Sequence, residues 1–288
     1  MLISSLLLLF IAALLHALTN ALMKASRVKL AFVWWMLGAS SILGAPLLFF
    51  MPRVEPVWWI IVLISGVLEV VYFLTLTRAY STGDLSVVYP IARGSAPLFL
   101  LIWAILFLRE HPTTAGMLGI LIIAAGLYLI NLNGINDWNR PWHSFKSAAP
   151  RWALLTGILI STYTAVDKIG MRHFPPLHYL YLVLFIGWIC LSLQWLFPAR
   201  RADLVAEVAD KRRLFSVLAS AICGTAGYTL VLAAMRMSPA SYVGAVREVS
   251  VVIGAWIGVR FMGERGGTLR IVASILVATG ILLIALGG

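Results

Sequence analysis

Residues 85–110, LSVVYPIARGSAPLFLLIWAILFLRE, are long enough to cross a bilayer, yet they carry an arginine, Arg93, a third of the way along. A span needs about 20 mostly apolar residues. An ionised side chain at that depth costs at least ~2.5–3.5 kcal/mol on insertion scales. A second stretch of the same kind, PASYVGAVREVSVVIGAWIGVRFMGE, occupies residues 239–264, and its Arg247 and Glu264 lie 154 positions after Arg93 and Glu110. Gly126 and Gly280 keep the same offset of 154. Apolar segments repeating a buried cation in register identify a duplicated membrane protein. Backbone polar groups in hydrocarbon must be satisfied within the segment, so the spans are expected to be helices.

The rest of the composition agrees. Hydrophobic residues make up 61% of the chain and charged residues 11%, against about 25% charge in a soluble chain. The net charge of +11 sits in short loops between apolar runs, a positive-inside pattern rather than a nucleic-acid-binding stripe, so no nucleic acid partner is expected. Met1 leads straight into an apolar run without a basic n-region, so the first segment is expected to be a retained helix, not a cleaved signal. Cys190 and Cys223 fall in predicted helices without C-x-x-C spacing and read as packing residues. Neither a metal nor a cofactor is expected.

Counting apolar runs between polar breaks predicts ten spans, at 2–23, 31–51, 57–80, 85–108, 113–131, 151–171, 177–197, 214–235, 240–262 and 268–286. The fold class is therefore an all-α membrane protein of ten transmembrane helices. Residues 1–131 form one five-helix repeat, 132–150 a linker, and 151–288 the second repeat. Residues 198–213 are expected to form a short amphipathic helix at the headgroup interface. Five spans per half is an odd number, so the second half enters the membrane inverted, as in secondary carriers whose site lies near the midplane between repeats. Lys24 and Lys168 match at a shorter offset of 144, as loops of unequal length allow. Apart from Arg93 and Arg247, fifteen of twenty basic residues fall on one side, which places both chain ends outside.

The run GDLSVVYPIARGSAPLF from Gly83, with the LREH and MGER ends of the fourth and ninth spans, resembles the drug/metabolite transporter superfamily, in its EamA-like ten-helix branch. Gly263-Glu264 matches a motif frequent in that family, whereas Arg109 stands where the fourth span would carry the glycine. The resemblance implies alternating-access transport of small metabolites, from amino acids and sugar phosphates to amphipathic drugs. It also implies an integral protein of a bacterial inner (plasma) membrane with cytoplasmic ends, opposite to the charge bias.

The arginines are the leading site candidates. A guanidinium is a rigid fork of donors suited to carboxylate or phosphate, and a symmetric pair can hold one anion. The structural alternative locks each in an ion pair, Arg247 with Glu69 and Arg93 with Glu248. Pro90, Gly94 and Pro97 suggest a kinked helix, and Tyr89, one turn before Arg93, shares its face. Glu69, central in the third span, has Cys223 as its counterpart; it is either a proton-coupling group or a permanent counter-ion. Glu248 points roughly 100° from Arg247 in a continuous helix and is expected to pair with a different helix.

His16, Thr19 and Asn20 share a face of the first span, with Tyr163 and Thr164 as their match in the sixth; they line a cavity or bond between helices. Asp167 and Lys168 read as a local salt bridge. Tyr72, Tyr228 and Trp256 lie deep enough to pack against the apolar part of a substrate. Trp34, Trp35, Trp58, Trp59, Trp138, Trp142 and Trp152 form the interfacial belt. Glu110 and Glu264, at helix ends, are assigned to gating or fold stabilisation. There is no H-E-x-x-H or G-x-S-x-G, and the five histidines are scattered, so no enzyme is expected. The function expected is a secondary transporter of a small anionic or zwitterionic metabolite, possible proton coupling included, as monomer or dimer. The alternatives are an exporter of amphipathic or cationic compounds using Glu69 and the aromatics, and a flippase for a lipid-linked head group.

Overall fold

A computed structural model describes residues 1–82, 85–130, 132, 147–196, 201–261 and 268–288. Among them there is no strand. The first half supplies α1 (Ile3–Ala25), α2 (Lys29–Gly44), α3 (Trp59–Thr82), α4 (Leu85–Leu106) and α5 (Thr114–Leu129). The second supplies α6 (Ala148–Gly170), α7 (Pro176–Ser192), α8 (Arg201–Glu207), α9 (Lys211–Met237), α10 (Ala240–Arg247), α11 (Val249–Phe261) and α12 (Thr268–Gly287). Most of the expected linker lies outside the described residues, and α6 begins at Ala148 inside its expected end.

Among the described residues six segments are long and apolar enough to cross a membrane: Ile3–Met23, Lys29–Phe50, Pro56–Thr82, Pro176–Trp195, Lys211–Met237 and Thr268–Gly287. Large apolar side chains cover the outside, such as Phe49, which is 89% exposed. Soluble proteins seldom present so much apolar surface. Ten unbroken spans are not what forms. The ninth run, 240–262, is two helices, because α10 stops at Glu248 (φ −69°, ψ −3°) before α11 resumes. The surface helix expected over 198–213 is likewise shorter. Asp210 accepts the Arg213 amide at 2.9 Å and so starts α9 directly after α8. The short α8 is tied to the bundle by Trp35, which donates to the Leu204 carbonyl at 2.9 Å, and by Glu207, which accepts the Val28 amide at 3.2 Å. Among the tryptophans of the expected belt, Trp138 and Trp142 lie outside the described residues.

The packing carries the repeat. Helix α1 lies on α9 as α6 lies on α3, while α5 pairs with α12 and α2 with α7. Exchanging the halves maps this set of pairs onto itself. The α5–α12 contact shows it atom by atom. A Cβ built on Gly126 would stand 2.9 Å from the Ala273 carbonyl oxygen and 2.8 Å from Val277 Cγ2; on Gly280 it would stand 2.5 Å from the Gly119 oxygen and 2.6 Å from Ile123 Cγ1. Positions 273 and 277 follow 119 and 123 by 154, the offset read from the sequence. Only glycine lets these backbones approach so closely.

A second cross-half tie joins the end of α4 to the start of α10. The first amides of a helix lack partners within it, and Pro239, which precedes α10, supplies no side-chain cap. Glu110 takes that part from the other half. Its carboxylate accepts the Ala240 amide at 2.5 Å, the Ser241 amide at 3.2 Å and the Ser241 hydroxyl at 2.7 Å. To bring Glu110 there, Arg109 adopts φ 55°, in the left-handed region. That is the position where the family resemblance places glycine. Glu264 lies outside the described residues.

Two pairs of substitutions test this packing by thermal unfolding in detergent. Gly280→Ala should destabilise by ~1–3 kcal/mol, whereas Gly254→Ala, with nothing among the described residues within 4 Å of its added Cβ, should be neutral or stabilising by up to ~1 kcal/mol. Arg109→Gly should relieve left-handed strain and stabilise by up to ~1 kcal/mol, while Glu110→Ala should lose ~1–2 kcal/mol with its cap. A rise in stability for Gly280→Ala, or a fall for Arg109→Gly, contradicts the geometry described.

Candidate functional site

Between the two halves lies a cavity of about 140 Å³. Helix α4 brings Arg93 to it and the end of α10 brings Arg247. Both guanidiniums turn to one carboxylate. Arg93 Nη1 lies 3.4 Å from each oxygen of Glu248, and Arg247 Nη2 lies 3.4 Å from Oε1. Their side chains are 20%, 7% and 1% exposed, in the order Arg93, Arg247, Glu248. Arg93 therefore has the partner expected of the structural alternative. Arg247 pairs with its sequence neighbour, contrary to the expectation for a continuous helix. The long, flexible arginine side chain spans the roughly 100° that separates neighbouring helical positions.

An aromatic ladder runs beside the arginines. Tyr72 meets Tyr163 with ring centroids 5.8 Å apart, Tyr163 meets Tyr228 at 6.4 Å, and His16 meets Tyr228 at 6.2 Å, all edge to face. The Arg247 guanidinium lies 5.9 Å from the centre of the Tyr228 ring, within range of a cation–π attraction. Glu69 enters the cavity from α3, and Asn20 joins His16 from α1. Two buried polar atoms on the wall, His16 Nε2 and Ser220 Oγ, have no hydrogen-bond partner among the described residues. Such atoms are costly without one, and a polar ligand would supply it.

Eight of the expected site residues thus share one cavity: His16, Asn20, Glu69, Tyr72, Arg93, Tyr163, Tyr228 and Arg247. Glu248 sits behind the arginines. Thr164 does not line the space; it is buried and donates back to the Ile160 carbonyl at 2.7 Å, being one position around the helix from Tyr163. Trp256 faces outward, 61% exposed. It lies five residues after the buried Val251, roughly 140° around α11. The side chain of Tyr89 lies outside the described residues.

Asp167 and Lys168 do not pair with each other. Asp167 accepts hydroxyls from Ser65 at 2.5 Å, Tyr179 at 2.8 Å and Tyr228 at 2.5 Å, whereas Lys168 donates to the carbonyls of Met235 at 2.5 Å and Ser238 at 2.9 Å. Adjacent positions on a helix face different neighbours. Other wall residues escaped the sequence reading, among them Ser40, Ser220 and Thr225. Ser220, Gly224 and Tyr228 stand at i, i+4 and i+8 on one face of α9, a polar stripe that would have exposed them. Thr225 donates to Ser40 at 3.0 Å, joining α9 to α2. Among the described residues no group of three or more His, Cys, Asp and Glu side chains could hold a metal ion.

No curated protein matches the sequence. The fold is known: 29 chains of solved structures match. One of them, described as the crystal structure of a protein, superimposes with a TM-score of 0.73 at 17% identity, over 98% of this chain and 96% of that chain. At that identity the likeness concerns the fold alone. The model of the EamA-like transporter family matches residues 3–132 and again 149–286, one copy in each half, and this chain belongs to that family of integral membrane transporters of small molecules.

Proposed function

We propose that the protein is a secondary active transporter that moves a small anionic or zwitterionic metabolite by alternating access. Its two halves act as inverted five-helix repeats, joined by a linker over 132–150, and make ten crossings of a bacterial inner membrane. The broken α10–α11 unit counts as one crossing. The observation that carries the reading is that Arg93, Arg247 and Glu69 open onto one cavity. The guanidiniums of Arg93 and Arg247, which share Glu248, line the cavity and suit a substrate anion. Glu69, on the same cavity wall, suits an ammonium group. A zwitterion answers both, and the tyrosine ladder covers its apolar part. The work is binding and release rather than bond-making, and the protein acts as a monomer or dimer.

A second reading has one observation in its favour. Glu248 already engages both guanidiniums, which leaves Glu69 and three tyrosines facing the cavity. That set would suit export of an amphipathic cation.

A thermal-shift panel on the purified protein separates the two, because a ligand that binds only the folded state stabilises it by about 2.7 kcal/mol at a hundred times its Kd. Zwitterionic amino acids or organic anions should raise the melting temperature and amphipathic cations should not; the reverse ranking favours the second reading. For the ligand so found, Arg93→Ala and Arg247→Ala should each weaken binding by about 30-fold or more, as for removal of one partner of a buried charge contact, with the protein still folded. Normal binding by both variants would exclude the anion clamp. In proteoliposomes Glu69→Gln should abolish the pH dependence of transport, and an unchanged pH profile rejects proton coupling through this residue.

A further inference from the structure

Behind the cavity lies a second carboxyl group that the transport reading leaves without a part. Asp167, on α6, is 1% exposed. Its three partners are hydroxyls from three other helices: Ser65 on α3, Tyr179 on α7 and Tyr228 on α9. Ser65 stands one turn before Glu69, so a single face of α3 presents a hydroxyl to Asp167 and a carboxyl to the cavity. Tyr228 reaches Asp167 with its hydroxyl and the cavity with its ring. Ser65 and Tyr228 thus connect Asp167 to the wall that carries Glu69.

The charges around this pair do not balance. Helix α4 contributes Arg93, and α10 with its cap contributes Arg247 and Glu248. Helix α1 contributes His16, and α3 adds Tyr72 beside Glu69. On α6 itself Tyr163 faces the cavity, while Lys168 turns away to the carbonyls of Met235 and Ser238. Among the described residues the cluster thus holds two guanidiniums, which keep their protons at any accessible pH, against three carboxyls. With all three ionised it would bury an uncompensated negative charge, which is costly in a low dielectric. One proton restores neutrality. Three hydroxyl donors favour the ionised form of Asp167, whereas Glu69 makes no side-chain hydrogen bond among the described residues.

We propose that Glu69 and Asp167 share a single proton, resident on Glu69 in the empty site, and that a cationic group of the substrate displaces it. Tyr228 links the two events, because a ligand that moves its ring disturbs a hydroxyl on which Asp167 depends. The displacement by substrate rests on the transporter reading; the shared proton does not.

Infrared difference spectroscopy of the purified full-length protein in lipid nanodiscs at neutral pH tests this without a substrate, so its result is independent of any transport assay. Wild-type protein should show one protonated-carboxyl C=O band sensitive to deuterium exchange. Glu69→Gln and Asp167→Asn should each lose it, because either leaves two carboxylates facing two guanidiniums. Tyr228→Phe, which removes one donor from Asp167, should keep a band at a changed frequency as the proton moves to Asp167. Absence of the band from wild-type protein, which would leave the balancing charge on His16, overturns the proposal. So does a band unaltered in Asp167→Asn. If that variant does not fold, Ser65→Ala serves in its place: a shifted band supports the shared proton, and an unshifted one overturns it.

Discussion

A guanidinium cannot discharge itself to enter an apolar interior, and this chain places two of them there. Everything near the cavity accommodates that fact. Burying a charge without a partner costs several kcal/mol, so a carboxylate has to stand close by. Glu248 is that carboxylate, and it serves both arginines at once. The helix stops at Glu248 and starts again one residue later, so the carboxylate that serves both arginines stands at the junction of α10 and α11.

The same logic sets where the other buried polar groups find partners. Arg93 belongs to the first half and Glu248 to the second. Glu110 of the first half caps α10 of the second. Ser65 of the first donates to Asp167 of the second. Arg247 and Glu248 pair within the second half, while the contacts of Arg93, Glu110 and Ser65 tie the two five-helix units together electrostatically. Further hydrogen bonds cross between the halves, such as Thr225 to Ser40 and Trp35 to the Leu204 carbonyl, and the rest of the contact is apolar surface and glycine. In a bilayer such surfaces gain little from association beyond close packing, and the polar ties supply much of the specificity between the halves.

The helical class, the duplication and most of the cavity wall were legible in the chain because they depend on spacing. The offset of 154 linking Arg93 to Arg247 reappears in the contacts of Gly126 and Gly280. Regular periodicity likewise placed His16 and Asn20 together. The misses share another cause, since each depends on where a side chain reaches or faces or on a partner remote in sequence. The expected separation of Glu248 from Arg247 weighed the directions of neighbouring side chains and not the reach of a long guanidinium stem. The Asp167–Lys168 salt bridge assumed that adjacent opposite charges meet, whereas one faces a cage of hydroxyls and the other the carbonyls at the end of α9. Trp256 looked deep by position along its span, but depth does not say which side of the helix a ring occupies.

The glycine seam between α5 and α12 limits how such a molecule can move. Side chains at an ordinary helix interface can change rotamer and slide past one another, but here main chain rests on main chain with no such cushion. Sliding by one turn would bring Val277 or Ile123 against a carbonyl where a glycine now sits. The pair α5 and α12 is therefore a seam whose register its glycines hold fixed.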